Sequence, residues 1–156
     1  MSSQVTPQRS GATEAWIGLL RAHAATTRQF NAELLETHGL TLNDFDVLAQ
    51  LSRGPDYGLK RSELAERVLL TPSGITRLLD GLERAGYVAR GECETDARVT
   101  YAVLTDVGRE KLREASKTHL RSVRALLSER FTPEELEQLS KLLGRLPLAA
   151  EAACDV

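Results

Sequence analysis

Residues 60–105 read KRSELAERVLLTPSGITRLLDGLERAGYVARGECETDARVTYAVLT, and this stretch decides the fold. Leu64, Ala65 and Val68 fall on one face at helical spacing. Thr71 then stands where it caps a following helix, and Pro72 suits that helix's first turn, which has no use for its missing N–H. Ile75, Leu78, Leu79 and Leu82 form the second helix's apolar stripe, which turns Ser73, Thr76, Arg77 and Asp80 outward near its start. Gly86 is suited to a left-handed helix end, Tyr87 to Arg90 open a strand, and Arg98 to Leu104 alternate as its return. Two short amphipathic helices joined by a tight turn and followed by a hairpin read as a winged helix-turn-helix. That shape puts the start of its second helix against base edges in a DNA major groove.

Working outward, the spacing predicts a long helix from about Thr13 to Glu36. In it Trp16, Leu20, His23, Thr27, Phe30 and Leu34 recur in alternating steps of four and three. A helix of this length with such a seam requires a partner, and the C-terminal helices are the candidate. Thr41 caps a second helix through Leu51, with Phe45, Val47, Leu48 and Leu51 inward, and Ser52 to Gly58 reads as a loop or short extended segment. Beyond the hairpin, Thr105 caps a helix reaching about Glu129, with Val107, Leu112, Ala115, Val123, Leu126 and Leu127 on its apolar side. The run Thr132-Pro133-Glu134-Glu135 is a capping box that opens a last helix, with Leu136, Leu139, Leu143 and Leu146 in step.

The fold class is therefore mainly α, an α+β winged helix with a helical dimerisation region built from both ends of the chain. Residues 1–12 form a small, polar, disordered tail, 13–52 the N-terminal helices for dimerisation and support, and 53–104 the winged helix-turn-helix. Residues 105–147 form the C-terminal dimerisation helices and 148–156 a short Ala-rich tail. Trp16, Leu20, Phe30, Leu126, Leu139 and Leu143 are the expected dimer contacts.

Composition narrows the function. With 42% hydrophobic and only 4% aromatic residues, the core of this 156-residue chain must be mostly Leu, Val and Ala. No apolar run approaches the roughly 18 residues that span a bilayer, and the start MSSQVTPQRSGAT lacks a signal peptide's apolar segment, so a cytoplasmic protein with no membrane partner is expected. The net charge of −2 is unlike a DNA binder's, but distribution matters more than the sum: from Arg53 to Arg90 seven basic side chains face five acidic ones. Cys93 and Cys154 are too few and too far apart for a metal site or disulfide scaffold, and His23, His38 and His119 are scattered. With no metal spacing, Gly-rich phosphate loop or nucleophile elbow, the chain reads as having no catalytic residues, no metal and no cofactor.

Five pieces in order carry a family likeness: Ser62 to Arg67, Thr71 to Leu78, Leu82 to Val88, the wing pair Asp96 and Arg98, and Leu104 to Arg109. Over roughly residues 14–147 the chain resembles the MarR family of bacterial transcription regulators. The resemblance implies a homodimer that binds a pseudo-palindromic operator in double-stranded DNA, acts as a repressor, and releases the operator when a small-molecule effector binds. It assigns DNA contacts to Thr71, Ser73, Thr76, Arg77, Arg84 and Arg98, with Asp96 orienting Arg98. Arg77 is the residue that can pair with guanine in two hydrogen bonds, and Arg98 suits a narrow minor groove. The wing departs from the family in carrying Glu92, Glu94 and Asp96 where several basic residues are common. An effector pocket between dimer helices and winged domain would draw on Trp16, His23 and Asp46. The first and last of these are similar to the Trp and Asp of members that sense urate-like ligands, although this chain has Gly81 where those members carry an arginine. The rival reading is a winged helix that docks a protein partner and binds no specific DNA.

Overall fold

The computed structural model describes residues 11–68 and 72–146. In chain order they form α1 (Gly11–His38), α2 (Leu42–Arg53), a 3-10 turn (Pro55–Tyr57), β1 (Gly58–Lys60), α3 (Arg61–Arg67), α4 (Pro72–Arg84), β2 (Val88–Glu92), β3 (Thr100–Leu104), α5 (Asp106–Ser128) and α6 (Pro133–Leu143). The three strands make one antiparallel sheet in the order β1-β3-β2.

Local chemistry sets most of the boundaries. The Thr41 hydroxyl accepts from the Asp44 N–H at 3.0 Å while the Asp44 carboxylate accepts from the Thr41 N–H at 2.8 Å, closing a capping box on α2. Thr132 and Glu135 do the same for α6. Gly86 stops α4 with φ 78°, a left-handed conformation that lets the Tyr87 N–H reach back to the Leu82 carbonyl at 3.0 Å.

The helix stripes and the sheet's inner face meet in one core. Leu34, Val47, Leu48, Leu51, Leu64, Ile75, Leu79, Leu82, Val88, Ala102, Leu104 and Ala115 belong to a single buried cluster. Because Leu34 of α1 and Ala115 of α5 join it, the central part of the molecule is one body with the winged half. The register places Leu59 opposite Ala102 and Val88 opposite Leu104, so the inward residues of all three strands line the same face.

Several boundaries differ from expectation. Helix α1 starts at Gly11, so residues 11 and 12 are helical and not part of the tail: Ala12 is a strong helix former and nothing there stops the helix. Residues 1–10 and the tail 148–156, with Cys154, lie outside the described residues. The segment expected as a loop or short extended stretch ends α2 at Arg53, makes the 3-10 turn, and enters strand β1, whose three residues are too few to alternate visibly. Asp56 and Tyr57 reach that strand with φ 50° and 60°, a conformation non-glycine residues adopt at a cost. Strand β3 begins at Thr100 and not at Arg98, because the Asp96 carboxylate takes the Arg98 N–H at 3.0 Å and holds a turn there.

The outer helices are less covered. The Phe30 and Leu34 end of the α1 seam is buried, but Trp16 is 58% exposed and Leu20 48%. Leu126 is half-buried on α5, whereas Val107 points outward at 60% exposure. Helix α6 buries none of its residues within the chain, leaving Leu142 and Leu143 exposed and Leu139 partly so.

Candidate nucleic-acid interface

Helix α4 is built with two faces. Ile75, Leu79 and Leu82 are buried, which fixes its rotation, and Ser73, Thr76, Arg77 and Asp80 are all exposed on the other side. Arg84 extends the polar face at the helix end, its Nε donating to the Asp80 carbonyl at 3.2 Å. Thr71, expected as cap and DNA contact, lies outside the described residues. A helix N-terminus carries partial positive charge, so the first turn of α4 attracts a phosphate whichever residue caps it.

The wing is the β2–β3 hairpin. Its tip is closed by the Cys93 N–H donating to Val99 O at 3.3 Å and the Val99 N–H to Asp96 O at 3.0 Å. Asp96 therefore holds the backbone of Arg98, and its carboxylate lies 3.6 Å from the guanidinium Nε. Arg98 itself is 94% exposed. Glu92 and Glu94 are exposed as well. Between them the Cys93 thiol is held below its ordinary pKa by hydrogen bonding, first to the Thr95 hydroxyl and then to the Thr95 and Asp96 backbone.

Sequence reasoning missed the ion cluster that braces this surface from behind. The Glu83 carboxylate of α4 accepts from Arg61 of α3 at 3.0 Å and lies 3.9 Å from Arg90 of β2. Three elements are tied through one side chain, and the pairing spans 22 residues, so no local periodicity marks it. A second brace joins the winged half to α5: the Thr105 hydroxyl donates to Gly86 O at 2.6 Å, the Thr105 N–H donates to Tyr87 O at 3.0 Å, and a β-carbon at Gly108 would run into that same Tyr87 carbonyl.

The residues expected at an effector site lie on two helices, Trp16 and His23 on α1 and Asp46 on α2. Trp16 lies about 15 residues, roughly 22 Å of helix, before Asn31, whose side chain accepts from the Leu42 N–H where α1 meets α2. His23 is exposed on α1. Asp46 is half-buried on α2, and burial pushes its carboxyl above the usual range against the smaller opposing effects of Gln50 and Arg53. An open groove of about 740 Å³ lies elsewhere, lined by His38, Tyr87, Val107, Lys111 and the carboxylates of Asp106, Glu110 and Glu114. It adjoins the Thr105 brace, and Lys111 Nζ stands 5.7 Å from the Tyr87 ring centre. Among the described residues no cluster of His, Cys, Asp and Glu could hold a metal, and no helix is long and apolar enough to cross a membrane.

The sequence pattern of the MarR family matches residues 38–99, from the end of α1 to the tip of the wing. The HTH-type transcriptional regulator PecS of Dickeya dadantii is 33% identical over 73% of this chain and 69% of its own length. The chain belongs to the MarR family. It is accordingly a transcriptional regulator by descent and not an enzyme. The crystal structure of the MarR-family regulator AbsC from Streptomyces coelicolor superposes with a TM-score of 0.77 at 32% identity, over 88% of this chain and 93% of that one. Sco3205, a MarR-family regulator of the same organism solved in complex with DNA, superposes with a TM-score of 0.79 at 27% identity, over 87% and 86%. The HTH-type transcriptional repressor YetL of Bacillus subtilis is 35% identical over 69% of this chain and 64% of its own length.

Proposed function

We propose that this MarR-family chain is a homodimeric, sequence-specific DNA-binding repressor that reads a pseudo-palindromic operator and leaves it when a small molecule binds. The observation that carries the reading is the division of α4, whose buried stripe turns Ser73, Thr76, Arg77 and Asp80 outward together. Arg77 reads guanine, a contact worth about 1–3 kcal/mol of discrimination. Ser73 and Thr76 hold phosphates, and Arg84 adds charge at the helix end. Arg98, held by Asp96, enters the adjacent minor groove, where narrow A·T-rich segments concentrate negative potential.

The second copy is supported by the exposed apolar residues at both ends of the chain, Trp16 and Leu20 on α1 with Leu142 and Leu143 on α6. A two-fold pair of such chains sets its α4 helices about 34 Å apart, one turn of duplex. The groove beside Tyr87 is the place for the effector, since it borders the brace between α5 and the winged half. A ligand there acts only through different affinity for the two arrangements of the halves.

Fluorescence anisotropy on duplexes from the chain's own upstream region and on scrambled controls, across several salt concentrations, tests the reading. Tight binding that weakens with salt and prefers the native duplex is expected. Equal, weak binding to both would favour a protein-docking winged helix, with the acidic wing tip of Glu92 and Glu94 as its contact surface.

A further inference from the structure

His119 of α5 lies where three helices meet. Its ring meets Phe30 of α1 nearly edge-on, with centroids 5.1 Å apart and planes at 86°, and meets Phe45 of α2 at 4.9 Å and 55°. Its Nδ1 is buried and has no hydrogen-bond partner. Phe45 precedes Val47 and Leu48 on α2, which are in the core of the winged half. One imidazole therefore joins the winged half to the two long helices.

A bare ring nitrogen tolerates this seat as an unused acceptor. Protonation makes it a charged donor with no acceptor in reach, between two hydrocarbon rings. The charged group of α1 that acts on it is Glu33, which already accepts from the Ser122 hydroxyl. His38, also of α1, is hydrogen-bonded to Thr118 at 2.9 Å. On α2 the neighbouring acid is Asp46, engaged with Gln50 and Arg53, and on α5 Lys117 pairs with Glu114 at 2.9 Å. Burial lowers the affinity of His119 for a proton, and the attraction of Glu33 opposes this only in part.

We propose that His119 is an acid-sensitive pin: a proton taken from solvent at Nδ1 drives the ring from between Phe30 and Phe45 and loosens α2, with the winged half, from α1 and α5. The sign follows from burial. Above about pH 6.5, the ordinary histidine value, the ring is neutral whether seated or released and the junction is at full strength. As pH falls below that value the released ring binds a proton before the seated one, so the seated arrangement loses ground down to its own lowered pKa. The consequence for DNA rests on the proposed operator binding: a loosened joint lets the two α4 helices lose their spacing. A one-unit difference between the seated and released rings corresponds to about a tenfold shift per subunit.

The test has two readouts. Proton NMR of the full chain from pH 8 to 5 follows the His23, His38 and His119 rings, with His119 assigned in the isotope-labelled wild type. His119 should titrate below the ordinary histidine value, with α2 amide shifts moving at the same midpoint. An ordinary midpoint, or a titration that leaves the α2 amides and the Phe45 ring unmoved, overturns the pin. In anisotropy over the same range the wild type should lose affinity several-fold between pH 7.5 and 5.5. His119→Phe, which keeps a ring and cannot titrate, should flatten that profile. An unchanged profile in His119→Phe sinks the proposal. A protein that binds no duplex at pH 7.5 fails the operator reading alone, because the NMR titration still decides the pin.

Discussion

The winged half and the two outer helical ends differ in how well one chain satisfies them. Around α4 every apolar stripe finds a partner within the same molecule, and Leu48, Leu51, Leu64 and Leu79 are completely buried. Along the first half of α1 and all of α6 the stripes are equally regular, yet Trp16, Leu20, Leu142 and Leu143 stay exposed. Periodicity in a sequence reports that a face wants burial and says nothing of whether the same chain supplies the cover. The first region is specified by itself. The second is specified only together with something else, which the proposed dimer supplies.

The strongest way to break this contrast is to cut into each region and change the protein concentration. Leu79→Ala should cost about 2–5 kcal/mol, the range for a fully buried leucine, and urea unfolding should find the same loss at every concentration. Trp16→Ala should leave the winged half folded and weaken self-association by about 2 kcal/mol, roughly thirtyfold in the dimer constant, as truncated aromatic anchors do. Sedimentation equilibrium checks this. A concentration-independent loss for Trp16→Ala would mean that α1 is covered within one chain after all.

The same contrast explains what could be read in advance. The α4 faces, the Thr41, Thr105 and Thr132 caps and the glycine stop at Gly86 were legible because each depends on residues within one or two turns. Strand β1 was not, since it exists by pairing with β3, more than forty residues away, and its approach uses left-handed Asp56 and Tyr57, which carry no glycine signature. The Glu83 cluster and the groove beside Tyr87 are likewise products of tertiary approach. On α4 the outward set Ser73, Thr76, Arg77 and Asp80 was legible as an exposed face, because it follows from local geometry.

On the DNA side the comparison sharpens to two arginines. Arg77 sits on a helix locked by three buried neighbours, and Arg98 on an exposed hairpin tip. Arg77→Ala should cost about 1–3 kcal/mol on the native duplex and narrow its lead over scrambled duplexes. Arg98→Ala should weaken both duplexes alike and flatten the salt dependence by about one counterion. Equal specificity ratios in the two variants would remove the distinction between a reading helix and a positioning wing.

The smallest expected effect is the most discriminating one. Thr132 caps α6, accepting from the Glu135 N–H at 3.3 Å while Glu135 accepts from the Thr132 N–H at 2.9 Å. Losing such a cap costs a helix about 1 kcal/mol. Because no residue of α6 is fully buried in its own chain and none belongs to the core cluster, fraying it should not touch the core around Leu79. If a second copy covers α6, Thr132→Ala should leave the monomer's unfolding unchanged and weaken association about fivefold. A loss visible in dilute monomer would place α6 on its own core, and the two regions would then differ only in degree.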